Sequence, residues 1–253
     1  MSLTTADQLT PQQIQRYQTR GFIHIPNVIS KAEAEHYRQA ALASAARLQD
    51  RNTQQEKKVF SQHVNVWQHD ETMKALTLHP NIAAVATKLA GVSLRLWHDH
   101  ILIKPPHNQA PTHYHQDGPY WPHDQRPGVS LSAWVALVDV PVERGCMTFI
   151  PGQHTISDLR PQNLRDERDL MGLAPEMQWQ ERVTVPLRAG DCTFHHQFTP
   201  HMANANVTDD PRVAHVIIYM AADTRYTGKG HPVTDPLDLT VGEVLDHEIF
   251  PRV

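Results

Sequence analysis

Apolar and polar positions follow one rhythm up to about residue 91 and another after it. Thr10 stands as an N-cap, Pro11 suits the first helical position and Gln13 lies three residues past the cap, so a helix is predicted from Pro11 to about Thr19, with Gly21 ending it. Phe22, Ile23 and Ile25 in GFIHIPNVI anchor a short strand. Ser30 and Glu33 form a second capping box, and the Ala-rich stretch from Lys31 to about Arg47 reads as a helix because Ala has the highest helix propensity. Residues 49–58 (QDRNTQQEKK) read as a solvated loop, and VFSQHVNVWQ mixes both textures and takes no assignment. Residues 70–90 read as one or two helices broken at Pro80, with Ala83, Ala84, Val85, Leu89 and Ala90 as an apolar face and Gly91 as the stop.

From Val92 the period shortens. In SLRLWHDHILIK the side chains of Leu94, Leu96, His98, His100 and Leu102 alternate as on a strand, and Pro105–Pro106 close it. VSLSAWVALVDV, CMTFIPGQH, the stretch Glu181 to Leu187, CTFHHQF and RVAHVIIYMA repeat the pattern, with turns at Glu143–Gly145 and Ala189–Gly190–Asp191. Helices followed by many short strands predict an α+β, mainly β, chain. Its core would be a double-stranded β-helix (jelly-roll, cupin-like), with the N-terminal helices packed on one sheet. The expected organisation is one domain over 1–253: a mostly helical N-terminal region over 1–91, a core over 92–222 with an insertion at 157–180, and a C-terminal tail over 223–253. The insertion is charged and lacks alternation, so it reads equally as a solvated excursion or a lid.

Composition narrows the function classes. With 40% hydrophobic and 20% charged residues in 253, the chain can bury a sizeable core. A net charge of −4 without a Lys/Arg run gives no nucleic-acid footprint, and no apolar run is long enough for a membrane span. MSLTTADQLT lacks the basic and apolar regions of a secretory signal. Cys146 and Cys192 make no disulfide framework and are expected as buried free thiols, so a cytoplasmic location is expected. A homodimer is left open.

Eighteen His make the chain rich in one potential ligand. In THYHQDGPYWP (112–122), His115 and Asp117 are two apart, and on an extended strand both would face one point, offering two donors of a 2-His-1-carboxylate set. By itself this pair is a weak signal and reads more readily as a surface-loop His and Asp. His201, after Pro200, is the candidate third donor. Arg212 lies eleven residues on, across an Asn/Asp/Pro turn, so a hairpin would place His201 and Arg212 on neighbouring strands. An Arg opening an apolar strand needs an anion if it points inward; otherwise it faces solvent or pairs with Asp210.

Ordered segments strengthen the pattern: Lys104–Pro105–Pro106; His115–Gln116–Asp117 with Tyr120–Trp121–Pro122; Trp134; Glu143, Gly145 and Cys146 before Ile150–Pro151–Gly152–Gln153–His154; Gly190–Asp191; then His201, Asn206, Thr208 and Arg212. Over roughly residues 8 to 222 they resemble the phytanoyl-CoA dioxygenase family of Fe(II)/2-oxoglutarate oxygenases. The resemblance implies His115, Asp117 and His201 as iron ligands and Arg212 as the clamp on the distal carboxylate of 2-oxoglutarate. Trp134 and His100 would border the co-substrate. It also implies a serine two residues past the distal His, where this chain has Ala203; Thr193, Thr208 or a water would replace that hydroxyl. The implied reaction consumes O2 and 2-oxoglutarate, releases succinate and CO2, and hydroxylates or otherwise oxidises a C–H bond of a small molecule. Asp117 stands where related halogenases carry a small residue, which disfavours halogenation.

Tyr120, Trp121 and His113 are expected at the substrate pocket, although the aromatics read equally as core. His123, His195 and His196 would be donors to the ligands, substrate contacts or fillers. Arg160, Arg165, Arg168 and Arg182 are balanced by acids and give no support to a CoA thioester. A cupin with other metal ligands is disfavoured because no Glu follows His113-x-His115 within ten residues. The alternative retained is a degenerate jelly-roll binding protein without catalysis, toward which Ala203 is a step.

Overall fold

The computed structural model describes residues 3–48, 60–108, 110–124, 130–164 and 166–253; the loop expected at 49–58 lies outside them. The N-terminal region folds as its local signals dictate. Thr10 accepts from the Gln13 N–H to start α1 (Pro11–Arg20), and Gly21, at φ 78°, ends it. β1 (Phe22–Ile25) leads to α2 (Lys31–Arg47), opened by the reciprocal Ser30–Glu33 box. β2 is Ser61–Val64, within the stretch that took no assignment. α3 (Glu71–Thr77) and α4 (Pro80–Ala90) are separate helices, because Pro80 opens the second as its first residue.

The remaining strands are β3 (Leu94–Lys104), β4 (Thr112–His115), β5 (Ser130–Ala136), β6 (Met147–Phe149), β7 (Val183–Val185), β8 (Cys192–His196), β9 (His201–Ala203) and β10 (Arg212–Ala221). They form two antiparallel sheets, β1-β8-β5-β10-β3-β2 and β4-β9-β6-β7. β3 to β10 make the eight-stranded jelly roll, and β1 and β2 extend the larger sheet at its two edges. Helix residues such as Ala34, Met73, Val85 and Leu89 pack with Leu131, Phe194 and Ile217 on the outer face of that sheet. Trp134, Phe149, Val216 and Ile218 fill the space between the sheets. The large sheet is thus covered on both faces, which explains why β5 and β10 are buried along their whole lengths.

Three expectations change. β3 does not hold one alternation: Tyr219 pairs with Leu96 and Ile218 with His98, so Trp97 bulges out. Leu94 and Leu96 join the helix-facing core, whereas Leu102 packs between the sheets. The hairpin expected to set His201 beside Arg212 is not formed: His201 begins β9 in the small sheet. It therefore faces Arg212 from the opposite sheet instead of neighbouring it. The insertion is not featureless. It holds α5 (Asp169–Leu173) and a 3-10 turn (Pro175–Trp179), pinned by Leu170, Ala174 and Met177 against Ile150. Those three recur at helical spacing, a signal hidden by the surrounding charges. Both cysteines are buried free thiols, and no helix of the described residues is long and apolar enough to cross a membrane.

Candidate active site

A cavity of about 390 Å³ opens between the sheets. His115 is the last residue of β4. The chain then turns, with Asp117 at φ −75° and ψ −44° leading into a 3-10 turn, Gly118–Tyr120. This turn, not strand alternation, brings His115 and Asp117 to one point. It is held from inside: buried Gln116 donates through Nε2 to the carbonyls of Ile156 (2.7 Å) and Phe198 (2.8 Å), and the Gly118 N–H donates to Gln197 O at 2.8 Å. A Cβ on Gly118 would lie 2.6 Å from the Phe198 ring, so this approach needs glycine. In register with His115, across the sheet, stands His201.

The ligand atoms of His115, Asp117 and His201 all lie within 4.8 Å of one another. His115 Nδ1 is 2.8 Å from His113 O, and His201 Nδ1 is 2.9 Å from Thr199 O. A carbonyl only accepts, so each Nδ1 carries the proton and each Nε2 offers a lone pair. Burial pushes both imidazoles down to about 4, which keeps them neutral near pH 7. Their Nε2 atoms lie 3.6 and 3.8 Å from Asp117 Oδ1. Burial alone would raise the Asp117 carboxyl, but His201, His195 and His115 together outweigh it and hold the group well below the usual carboxylate range. Its Oδ2 faces His195 Nε2 at 3.4 Å and accepts from Ser132 Oγ at 3.2 Å. Ser132 and His195 are cross-strand partners on β5 and β8.

Across the cavity lies Arg212, 1% exposed. Its guanidinium sits 5.3 Å from the Trp134 ring centre, its Nη1 reaches only Leu102 O at 3.4 Å, and its buried Nε has no partner. No carboxylate pairs with it among the described residues, so the expected alternatives, solvent or Asp210, are not met. Burial pushes its pKa down to about 10, the mark of an uncompensated cation. The donors fit an octahedral metal on one face, and the guanidinium fits a carboxylate.

Trp134, His100, Tyr120 and Trp121 all line the cavity. His113 does not: its carbonyl orients His115 while its side chain stays off the wall. Thr193 is also displaced, fully buried and outside the cavity lining. Of the arginines in and just after the insertion that are described, Arg160 pairs with Asp169 at 2.6 Å, Arg182 lies over Tyr114, and none lines the cavity; Arg165 is outside the described residues. Sequence reading missed Ser132, which its place two residues before Trp134 on one strand could have revealed. It also missed His231, Pro232 and Val233, wall residues from the tail with no local signal.

A profile of the phytanoyl-CoA dioxygenase (PhyH) family matches residues 17–214. The fold is similar to that of the non-heme alpha ketoglutarate dependent carbocyclase SnoK from nogalamycin biosynthesis, at TM-score 0.90 and 37% identity over 100% of both chains. It is also similar to the epimerase SnoN, whose structure holds Fe3+, alpha ketoglutarate and nogalamycin RO, at TM-score 0.83 and 38% identity over 95% of this chain and 97% of that one. Phytanoyl-CoA dioxygenase domain-containing protein 1 of Mus musculus is 26% identical over 159 residues, covering 61% of this chain and 54% of the relative. The chain thus spans about half the length of that curated relative. On the strength of the profile match, which covers most of its length, the chain belongs to the phytanoyl-CoA dioxygenase (PhyH) family.

Proposed function

We propose that the protein is a non-haem Fe(II)/2-oxoglutarate-dependent dioxygenase that oxidises a C–H bond of a small molecule, hydroxylation being the expected outcome. One observation carries this reading: a neutral-imidazole His–Asp–His set and a buried guanidinium without an anion share one cavity. His115, Asp117 and His201 would hold the iron. Arg212 would hold the distal carboxylate of 2-oxoglutarate through parallel N–H···O bonds, with Trp134 and His100 beside it. Iron and co-substrate, when bound, supply the oxidation of a C–H bond by O2, with release of succinate and CO2.

The chain's own residues prepare the site. His195 and Ser132 engage Asp117 Oδ2 and leave Oδ1 toward the imidazoles. Trp134 backs the guanidinium and keeps water from one of its faces. Asp117 fills the position at which a halide would have to enter, so halogenation is disfavoured. Among the described wall residues Asp117 and Arg212 are the charged side chains. The substrate is therefore read as an uncharged small molecule, met by Tyr120, Trp121 and the imidazoles of His98 and His231. Relatives at 37% and 38% identity are a carbocyclase and an epimerase, so product mass, with one oxygen gained, is the readout for hydroxylation. The reduced thiols of Cys146 and Cys192 favour a cytoplasmic setting.

The test is anaerobic loading with Fe(II), then titration with 2-oxoglutarate while following the visible charge-transfer band of the chelate. The wild type is expected to give the band, His201→Ala to lose it and Arg212→Ala to need far more co-substrate. Asp117→Ala is expected to abolish iron-dependent 2-oxoglutarate turnover. A wild type that neither retains iron nor gives the band returns the chain to the non-catalytic binding class.

A further inference from the structure

The cavity presents one hydroxyl that no protein group uses. Among the described lining residues only Thr112 and Tyr120 carry hydroxyls, and Tyr120 Oη donates to Gln162 O at 2.5 Å. The Thr112 hydroxyl makes no hydrogen bond within the described chain. Its partner across the β4–β9 pair is Ala203, two residues past His201. Thr112 and His115 are three residues apart and on a regular strand would face opposite ways. The β4–β9 register shifts between them, so both side chains line the cavity.

Lys104 fixes the level of this pair. It is the register partner of Arg212, and its ammonium crosses to the small sheet to donate to Asn204 O at 2.8 Å and Ala110 O at 3.1 Å. Asn204 adjoins Ala203 and Ala110 precedes Thr112 by two, so Thr112 and Ala203 lie at the Arg212 end of the cavity. Neither of the other hydroxyls considered from sequence lines the cavity. Thr208 Oγ1 donates to Asn206 Oδ1 at 2.7 Å, and Thr193 lies outside the lining.

We infer that Thr112 Oγ1 donates to the carboxylate of 2-oxoglutarate held by Arg212, supplying from β4 the hydroxyl that Ala203 lacks on β9. The inference rests on the 2-oxoglutarate reading above, and it makes Thr112, the cross-strand partner of Ala203, a co-substrate-binding residue.

The test uses the full-length Fe(II)-loaded protein under anaerobic conditions. The dissociation constants of 2-oxoglutarate and of 2-oxobutyrate, which chelates alike but lacks the distal carboxylate, are measured for wild type, Thr112→Val, Thr112→Ser and the double variant Thr112→Val/Ala203→Ser. A hydrogen bond to a charged group predicts that Thr112→Val binds 2-oxoglutarate about 10- to 100-fold more weakly, with Fe(II) and 2-oxobutyrate affinities unchanged. Thr112→Ser is expected to bind as wild type, and Ala203→Ser to recover binding in the Val background. If Thr112→Val binds 2-oxoglutarate as wild type does, or weakens both keto acids equally, the assignment is overturned while the oxygenase reading stands. A wild type that binds no 2-oxoglutarate overturns both.

Discussion

Asp117 has two carboxylate oxygens, and its neighbours treat them differently. Oδ1 looks toward two neutral imidazoles, and Oδ2 is engaged by His195 and Ser132. Outer contacts of this kind set the rotation of a ligand and typically tune metal affinity by about 10- to 100-fold. His195→Ala is therefore expected to weaken Fe(II) binding within that range at unchanged far-UV circular dichroism; equal affinity in a competition titration would show that Asp117 needs no such support. Arg212→Ala should raise the 2-oxoglutarate dissociation constant by roughly 30- to 1000-fold, the usual cost of removing one partner of a buried charged pair. At this scale the sequence was informative where chemistry is local. His115 and Asp117 become legible through the ordered segments around them, and Arg212 by opening an apolar strand. Thr112 was overlooked because a register shift, invisible in the residue types, decides which side chains of β4 reach the cavity.

Elements divide the same way. Capping boxes at Thr10 and Ser30 use partners three residues off, so the bounds of α1 and α2 follow closely from the sequence. Sheet membership depends on distant partners, and the assignment of His201 to β9 in the opposite sheet had no local cue. The bulge at Trp97 likewise required the pairing of β3 with β10. The turn before β8 shows how tightly one element can be specified. Gly190 has φ 94°, and a Cβ there would stand 2.4 Å from Ile29 O. A positive φ costs an L-residue of order 1–3 kcal/mol before any clash with that carbonyl. Gly190→Ala is expected to lower the urea midpoint by an amount worth about 2–4 kcal/mol at unchanged m-value; a midpoint equal to wild type would mean that the turn relaxes.

Across the whole molecule, the candidate site joins the two sheets: the iron-binding set comes from the small sheet and its adjoining turn, Arg212 and His195 from the large one. The jelly roll and the helical layer were legible from pattern, because covering one sheet on both faces leaves long apolar strands. The tail's contribution to the cavity wall was not. Burial also sets the response of the fold to acid. It pushes His123 and His196 down to about 3, against an ordinary value of 6.5. The unfolded chain binds their protons below 6.5 and the native chain only near 3. Their stabilising contribution is complete above 6.5 and is lost as pH falls through that window, at up to about 1.4 kcal/mol per pH unit for each. Asp99 and His215, 3.5 Å apart, work in opposite senses: burial raises the acid to about 7 and lowers the imidazole to about 3. The metal-free protein should thus melt several degrees lower at pH 5 than at pH 7, and a flat Tm profile would show that these imidazoles protonate in place. The two carbonyls that orient His115 and His201 have a last consequence, for how the protein can vary. They belong to the main chain at positions 113 and 199, where a change of side chain leaves the acceptor in place. A saturation scan for iron retention should be almost flat at 113 and steep at 115, 117 and 201. The metal centre would then sit still under mutational drift while the wall around it changed its clientele.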